Sequence, residues 1–494
     1  MEFDIIIRNG NLVDGSGGKI EYGDLGIIDN KIKAIGDLKD SIGDREIDAT
    51  DLVVSPGFID VHNHADYDIL KIPDAENMLR QGVTTLVAGN CGESSWPIGE
   101  HLNKVETTSI RQNYAILVGY NTIKSKLPSK YSQFSSKGKH IMKKMVAEAL
   151  NEGAIGVSAG LNSTIVSAPQ KIAEILAPLV KSGGVFANHI RNEGEDVLNA
   201  ISEIIRIGKL GVPIQISHLK AYGPPAWDKI EEILDLIDSA VQDGIEISCD
   251  RYPYNAAFRG LYAGFWDHMS EWHKKNPEIS LEDVVDKPPR ELKKAVRTGI
   301  EAKGGSDKII FAPLEPMPEI EGKTLAQVAD EWNISEENTA LKLMNKGGVS
   351  CIYHSMLEEN LQKILAHPRV MVASDGHLRE KGKGVAHPRN FGTFPRVLGK
   401  YVREKGLFSL EERIKKMTMM PAKKFNLNKR GVLAKNKIAD IVIFDPEQII
   451  DHKTFQNKQQ YPEGIIHVIM GGKIAIKDTN VTDNYCGKVI RRGD

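Results

Sequence analysis

The sequence predicts an α/β protein built on a (β/α)8 TIM barrel, and three observations favour this fold. After Pro56-Gly57, short apolar runs typical of buried parallel strands alternate with stretches of helical periodicity. Eight such runs occur, and eight β/α units close a TIM barrel. Glycines follow several of the helical stretches, where they serve as left-handed caps. The predicted strands are 57–62, 84–90, 115–119, 154–159, 184–189, 212–218, 244–250 and 369–375.

Helices are predicted between several of these strands. Each candidate has an apolar face at helical spacing and ends at a glycine. The predicted helices are 138–151 before Gly153, 171–181 before Gly183-Gly184, 195–209 before Gly211, and 226–242 before Gly244.

Both ends of the chain have the pattern of short β-hairpins. Runs rich in β-forming residues at 3–8, 11–14, 25–28 and 31–36 are separated by Asn-Gly, Gly-Ser-Gly-Gly and Asp-Asn turns, and similar texture returns at 437–444 and 464–476. The simplest arrangement joins 1–55 and 426–494 in one small β-sandwich beside a barrel formed by 56–425.

The interval between the seventh and eighth predicted strands is much longer than one β/α repeat. It contains helical segments near 289–302 and 324–346 and a possible strand at 308–312. We therefore predict an inserted lid subdomain, residues 258–346, over the mouth of the barrel.

Composition excludes several classes of protein. The 494 residues include 64 Lys and Arg against 66 Asp and Glu, so no basic excess suits a nucleic-acid partner. Four scattered cysteines do not form a disulfide framework, and no apolar run approaches the ~20 residues of a membrane span. The first residues are acidic, unlike a signal peptide. We expect a cytoplasmic protein that acts on a small molecule, with the oligomeric state left open.

Six residues of metal-ligand type stand at the carboxyl ends of predicted strands. In a TIM barrel all these ends meet at one rim, where catalytic residues lie. The two histidines of a His-x-His motif also project from the same face of a strand. The six residues are His62 and His64 after the first strand, Cys91 after the second, His189 and His218 at the fifth and sixth, and Asp375 at the eighth.

A single buried histidine or free cysteine is more often a packing residue than a ligand. The convergence of six such residues on one rim favours a metal site instead. Imidazole and thiolate together favour zinc over magnesium or calcium, which prefer oxygen ligands.

The chain resembles the amidohydrolase superfamily and, over nearly its whole length, the D-aminoacylases (N-acyl-D-amino-acid deacylases). The superfamily's His-x-His, two later histidines and final aspartate are matched in order. The segments that carry the closer resemblance are PGFIDVHNHAD at 56–66, GVTTLVAGNCG at 82–92, GAIGVSAG at 153–160, ANHIRNEG at 187–194, ISHLK at 216–220, DRYPYNA at 250–256, ASDG at 373–376, HPRNFGTFPRVLGKYVRE at 387–404 and ADIVIFDP at 439–446.

The resemblance also implies how the metal is held. Many relatives bridge two metals with a carboxylated lysine that ends the fourth strand, but here Ser158-Ala159-Gly160 contains no lysine. In the D-aminoacylases a cysteine serves instead, and Cys91 matches it. The resemblance therefore implies a tight zinc site of Cys91, His189 and His218. It places His62, His64 and Asp375 around a possible second, weaker site.

Three protein ligands leave a coordination position for water, whose pKa falls toward ~7 on zinc. Such a site predicts a hydrolase that attacks with metal-bound hydroxide. Asp375 is the candidate general base, which takes the water proton and then, as general acid, delivers it to the leaving nitrogen. The alternative reading of Asp375 alone is a helix cap.

An acylated amino acid needs a cation for its carboxylate, and a guanidinium suits that planar group. The resemblance points to Arg389 as this cation, assisted by the Tyr252 hydroxyl. Without the resemblance, Arg389 would be interpreted as part of a surface ion pair and Tyr252 as a core residue. Lys220, two residues beyond His218, faces the same way, and either contacts substrate or packs at the barrel mouth.

The predicted function is zinc-dependent hydrolysis of N-acyl-D-amino acids to a D-amino acid and a carboxylate. Two alternatives stay open. A cyclic amidohydrolase of the hydantoinase or dihydroorotase type shares the barrel, but the missing bridging lysine and the D-aminoacylase match at Cys91 and Arg389 in this chain count against it. A non-enzymatic scaffold would not need all six ligand positions filled. The sequence leaves the preferred side chain, the acyl group and the number of metals open.

Overall fold

The computed structural model describes residues 2–163, 168–312, 317–382, 387–452, 455 and 460–494. Within these ranges, hydrogen bonds join the strands into a nine-stranded, an eight-stranded and a three-stranded sheet. None of the described helices combines the length and apolar character that crossing a membrane requires.

The strands follow one another as β1 (Glu2–Leu12), β2 (Glu21–Ile28), β3 (Lys31–Gly36), β4 (Ile42–Asp48), β5 (Val53–Pro56), β6 (Phe58–Asp60), β7 (Val83–Ala88), β8 (Asn113–Gly119), β9 (Gly156–Gly160), β10 (Val185–His189), β11 (Ile214–Ile216), β12 (Ile247–Arg251), β13 (Ala257–Gly260), β14 (Ile309–Phe311), β15 (Ser350–Tyr353), β16 (Val370–Val372), β17 (Ile441–Phe444), β18 (Ile465–Met470), β19 (Lys473–Lys477) and β20 (Asn480–Val481).

The α-helices are α1 (Glu76–Leu79), α2 (Ile98–Thr107), α3 (Tyr120–Ser125), α4 (Ser136–Asn151), α5 (Pro169–Ile175), α6 (Ala177–Ser182), α7 (Val197–Gly208), α8 (Ile230–Gln242), α9 (Leu261–Lys275), α10 (Leu281–Val284), α11 (Arg290–Glu301), α12 (Leu325–Glu331), α13 (Glu336–Lys346), α14 (Glu358–Ala366), α15 (Arg389–Arg396), α16 (Leu410–Met417) and α17 (Met419–Lys424). A π-helix, Val397–Glu404, continues α15.

The eight-stranded sheet is the predicted barrel. Its strands lie in the order β6-β7-β8-β9-β10-β11-β12-β16, and every neighbouring pair is parallel. All residues of β7 and β8 are buried, as expected for strands covered on both faces. Apolar residues of the strands form a cluster separate from the larger one shared with the surrounding helices. The predicted fold class is confirmed.

The first and last barrel strands meet just beyond their carboxyl ends. The His64 amide donates to the Gly376 carbonyl at 2.8 Å, and the Asp375 amide donates to the His62 carbonyl at 2.7 Å. These bonds close the barrel through the same short segments that carry three of the predicted ligands. The closure of the fold therefore fixes the backbone of the candidate site.

One predicted helix is interrupted. The pattern predicted a single helix over 171–181, but α5 and α6 are separate and meet at Leu176, whose ψ is 2°. Pro178 lies in the first turn of α6 and has no N–H to donate to the carbonyl of Glu174. The α-helical bonding pattern therefore cannot continue through this point.

The two ends of the chain form the nine-stranded sheet, in the order β20-β19-β18-β17-β5-β1-β2-β3 with β4 also paired to β1. The predicted union of both termini is confirmed. Hydrogen bonds join the strands into one sheet rather than two. The reason is that β1 pairs with β2 on one edge and with both β4 and β5 on the other. This sheet has its own apolar core.

The predicted Asn-Gly turn near the amino terminus is wrong. Asn9 and Gly10 lie inside the continuous strand β1, at a shift in its register against β2. Asn9 takes a positive φ of 56°, which asparagine tolerates better than most residues. Arg8 and Asn9, between the paired residues Ile7 and Gly10, therefore form a bulge, and the strand continues through them.

The chain between β12 and β16 forms a unit with its own sheet and core. Strands β13 and β14 both pair with β15, antiparallel, and helices α9, α11, α12 and α13 pack apolar residues beside them. Because β15 ends at Tyr353, this sheet extends past residue 346, the predicted end of the insertion. We refer to residues 257–353 as the inserted unit.

Candidate metal centre

The six predicted ligands converge at the carboxyl end of the barrel. His62 and His64 follow β6, Cys91 follows β7, and His189 is the last residue of β10. His218 follows β11 and Asp375 follows β16. His62, His218 and Asp375 are buried, and the other three are partly buried.

Three of these residues occupy the left-handed region of backbone conformation. Cys91, His218 and Asp375 have φ values of 55°, 38° and 50°. Such conformations cost energy for residues with a side chain and persist where the surroundings enforce them. The His218 amide donates to Oδ1 of Asp250 at 2.8 Å, and the Asp375 amide donates to the His62 carbonyl. These turns aim the side chains into the barrel mouth.

The thiol of Cys91 lies among three imidazoles. Its Sγ is 3.4 Å from Nε2 of His62, 3.5 Å from Nε2 of His218 and 3.8 Å from Nδ1 of His189. The ligand atoms of His62, Cys91 and His218 all lie within 4.8 Å of one another. His62 is thus as close to Cys91 as the two histidines of the implied tight site.

A second ligand group adjoins the first. Oδ1 of Asp375 is 3.1 Å from Nε2 of His64 and 3.5 Å from Nε2 of His62. His62 therefore belongs to both groups, although the family resemblance implies it only for the weaker site. His189 instead forms a third group with His218 and Glu193, so Cys91, His189 and His218 do not together form one of the compact ligand groups.

Electrostatics fit a cation at this cluster. Burial raises the pKa of Cys91, but His62 and the neighbouring imidazoles outweigh it and hold that pKa well below its ordinary value. Burial lowers the pKa of His64, but Asp375 and Cys91 raise it to about 9. The thiolate and the carboxylate thus favour positive charge at the neighbouring His62 and His64. Since metal ligands bind deprotonated, a cation would supply this positive charge instead.

Two carboxylates that the sequence analysis did not select contact the Nδ1 atoms of His62 and His218. Oδ1 of Asp250 is 3.0 Å from Nδ1 of His62, and Oε1 of Glu193 is 2.8 Å from Nδ1 of His218. A carboxylate behind a ligating histidine fixes its ring and tautomer. Both residues lie in family-like segments, DRYPYNA and ANHIRNEG, and Asp250 also ends a predicted strand at the same rim, which is a signal that could have selected it.

The three predicted substrate-binding residues lie beside this cluster. Nη1 of Arg389 donates to Oδ2 of Asp375 at 2.6 Å, and the guanidinium carbon is 4.9 Å from the ring centroid of Tyr252. Lys220 donates from Nζ to Oε1 of Glu193 at 2.8 Å. The direct pairing of Arg389 with Asp375 was not anticipated, because the sequence analysis gave the two residues separate roles.

An eight-stranded parallel barrel with clustered imidazole, thiolate and carboxylate groups at its carboxyl rim defines a metal-dependent barrel enzyme. The model of the Amidohydrolase family matches residues 45–171 and 278–476. This chain belongs to the amidohydrolase family, which confirms the predicted class of enzyme.

Individual relatives cover the whole chain. The D-aminoacylase of Alcaligenes xylosoxydans xylosoxydans is 32% identical, over 99% of this chain and 98% of that protein. A crystal structure of D-aminoacylase is 32% identical, with a TM-score of 0.83 over 99% of this chain and 100% of that one. N-acyl-D-glutamate deacylase from Bordetella bronchiseptica, complexed with zinc and a phosphonate inhibitor, is 28% identical, with a TM-score of 0.85 over the same shares. The predicted resemblance to the D-aminoacylases is confirmed.

Proposed function

We propose that this chain is a zinc-dependent hydrolase that converts N-acyl-D-amino acids to a D-amino acid and a carboxylate. The observation that carries the proposal is a pair of buried hydrogen-bond donors beside the metal cluster, Nε of Arg389 and the Tyr252 hydroxyl, which have no partner among the described residues. It suits the free carboxylate of an acylated amino acid. The names of the relatives, D-aminoacylase and N-acyl-D-glutamate deacylase, agree with this substrate class.

In this proposal Cys91, His189 and His218 hold the tight zinc, with His62 close enough to share it. His64 and Asp375 border the second position. Thiolate and imidazole are the ligand types that favour zinc. Bound zinc supplies a Lewis acid that polarises the amide carbonyl and makes water a nucleophile at neutral pH.

Asp375 carries the proton in this proposal. Burial raises its pKa, but Arg389 and His62 outweigh burial and hold the pKa of this carboxyl well below its ordinary value. Asp375 is therefore ionised at neutral pH and ready to accept a proton from the attacking water. The same carboxyl, once protonated, then delivers that proton to the departing amine nitrogen.

The substrate carboxylate would bind between Tyr252 and Arg389. The Tyr252 hydroxyl is buried and, within the described residues, has no hydrogen-bond partner, and the same holds for Nε of Arg389. Buried polar groups are normally satisfied, so a bound acceptor would complete this site. Lys220 lies nearby, with its Nζ 5.7 Å from the Tyr252 ring centroid, and its charge is balanced by Glu193.

Two anchors and one pocket define the handedness of the substrate. Arg389 fixes the carboxylate, and the metal cluster fixes the scissile carbonyl. The α-carbon lies between them, so its side chain enters a given pocket in only one of the two enantiomers. This geometry requires a strong preference for one configuration, and the relatives favour the D form.

The proposal predicts hydrolysis of N-acetyl-D-methionine with at least about 100-fold higher kcat/KM than the L enantiomer, a difference of about 2.8 kcal/mol in transition-state binding. Release of free amino acid from matched D and L panels measures this, together with zinc content by atomic absorption. Hydantoin and dihydroorotate serve as cyclic controls. A clear preference for L substrates or for these cyclic amides would contradict the proposal.

The carboxylate anchor predicts that N-acetyl-D-methionine amide is a much poorer substrate than the free acid. A charge-assisted pair contributes about 1.5–3 kcal/mol, or roughly 10- to 150-fold in kcat/KM. Arg389→Ala should erase most of this acid-to-amide ratio. The ratio is the decisive quantity, because the substitution also removes the partner of Asp375 and slows both substrates.

Two further variants sharpen that experiment. Tyr252→Phe removes only the hydroxyl and should lower the same ratio by a smaller factor. Arg8→Ala breaks a comparable arginine–carboxylate pair in the terminal sheet, where Arg8 contacts Glu46 at 2.7 Å, and should leave the ratio unchanged. Equal rates on acid and amide in the wild-type protein would remove the anchor from the proposal.

A further inference from the structure

A cavity of about 210 Å³ lies between the barrel and the inserted unit, next to the metal cluster. His189 and the residues that follow it line one side, and the inserted unit supplies Arg259 and Lys303 on the other. His189 separates the two spaces, with Nδ1 toward Cys91 and Nε2 3.4 Å from Nη2 of Arg259. His189 therefore borders both the metal cluster and the cavity.

Some charged groups that line the cavity are already neutralised within the protein. Arg191 pairs with Glu203 at 2.8 Å. Glu193 pairs with Lys220 at 2.8 Å and lies at the same distance from His218. Because the charges of Arg191 and Glu193 are balanced by partners within the protein, these two residues would attract a charged ligand only weakly.

Arg259 and Lys303 differ from this group. Neither forms an ion pair with a carboxylate in the part of the chain that the structure describes. Lys303 is 2% exposed, donates to the Gly299 carbonyl at 3.1 Å and lies 4.4 Å from the ring centroid of Phe265. A buried cation without a carboxylate in contact is costly, and an anion bound beside it would lower that cost.

The lowered pKa of Lys303 shows that its environment disfavours the protonated, charged form. Burial, together with the charge of Arg259, lowers the pKa of Lys303 to about 7. The remaining carboxylates at the cavity, Glu195 and Asp267, are exposed, and neither pairs with Lys303 or Arg259 within the described ranges. Asp267 acts on Lys303 through its charge, but Arg259 and Lys303 are the cavity's cations that no described carboxylate contacts.

We infer that this cavity receives the side chain of the substrate and selects an acidic one, as in N-acyl-D-glutamate or N-acyl-D-aspartate. The inference rests on the proposed function and adds the substrate class to it. Arg259, beside His189, pairs with the side-chain carboxylate. Lys303, deeper in the same wall, adds positive charge behind it. A neutral side chain of the same shape leaves both cations without a partner.

The test compares N-acetyl-D-glutamate with N-acetyl-D-glutamine, which differ in charge but hardly in shape. We expect kcat/KM at least about tenfold higher for the glutamate substrate, the effect of one charge-assisted pair. Arg259→Gln should bring this ratio close to one, and Lys303→Met should lower it. Arg297→Gln, an exposed arginine of the same inserted unit paired with Glu337, should leave it unchanged.

Binding of the free products gives a readout that does not depend on turnover. By calorimetry, D-glutamate should bind at least about tenfold more tightly than D-glutamine, and Arg259→Gln should remove the difference. A wild-type preference for glutamine, methionine or leucine substrates would overturn the inference, even if no variant folds. Failure to hydrolyse any N-acyl-D-amino acid would instead overturn the proposed function.

Discussion

Replacement of Cys91 by alanine should remove most of the bound metal and nearly all hydrolytic activity together. The thiol lies within 3.8 Å of three imidazole nitrogens, and its low pKa makes it a thiolate. Without it the cluster loses its softest ligand and a negative charge. Loss of an outer partner of a ligand already costs about 10- to 100-fold in metal affinity, so loss of the ligand should cost more.

Metal content after dialysis, measured beside kcat on N-acetyl-D-methionine, checks this expectation. Cys486→Ala is the matched control, because Cys486 is a buried free cysteine whose pKa is raised by burial, outside the metal cluster. It should retain both metal and activity. Cys91→Ser keeps the size of the side chain and should still lose zinc, since a hydroxyl is a poorer ligand than a thiolate. Full metal and activity in Cys91→Ala would make this thiol a packing residue.

The positions of the ligands could be predicted because the fold itself determines them. Parallel strands buried on both faces stand out as apolar runs, and their carboxyl ends share one rim. The residue that follows each run is therefore known before any packing is known. His62 after β6 and Asp375 after β16 illustrate this, and the backbone bond between them closes the barrel.

The pairing of side chains around the ligands could not be predicted in this way. Asp250 ends a predicted strand, yet nothing in its local sequence distinguishes a carboxylate that holds His62 from one that caps a helix. Arg259 lies in the inserted unit, and its approach to His189 depends on how that unit packs over the barrel. Such contacts follow from tertiary packing, which no short pattern encodes.

Local breaks in the secondary structure show the same limit on a smaller scale. Asn9-Gly10 has the composition of a hairpin turn, but β1 pairs on both edges and continues through this dipeptide, with a bulge just before Gly10. Pro178 could have been used to divide the helix predicted over 171–181, because its missing N–H is a property of the residue alone. The bulge at Asn9 depends on tertiary strand pairing, whereas the helix break at Pro178 follows from the local sequence.

Replacement of Asp375 by asparagine should lower kcat by about 10²- to 10⁴-fold while the tight metal stays bound. Asparagine keeps the size of the side chain but removes the charge and the ability to accept and return a proton. Metal retention is expected because the ligand atoms of His62, Cys91 and His218 form a group without Asp375. Stopped assays at saturating N-acetyl-D-methionine give kcat, and metal analysis of the same samples gives occupancy.

The pairing of Asp375 with Arg389 makes this result specific. Loss of the carboxylate leaves the guanidinium able to hold substrate, so KM should change little in Asp375→Asn, whereas Arg389→Ala should raise KM. Asp238→Asn, an exposed aspartate paired with His367, controls for the substitution itself. Near-normal kcat would exclude Asp375 as the proton carrier. If Asp375→Asn lost metal in parallel with activity, the main role of Asp375 would be metal binding. The proton-transfer role predicts instead a variant that keeps its metal and has a low kcat.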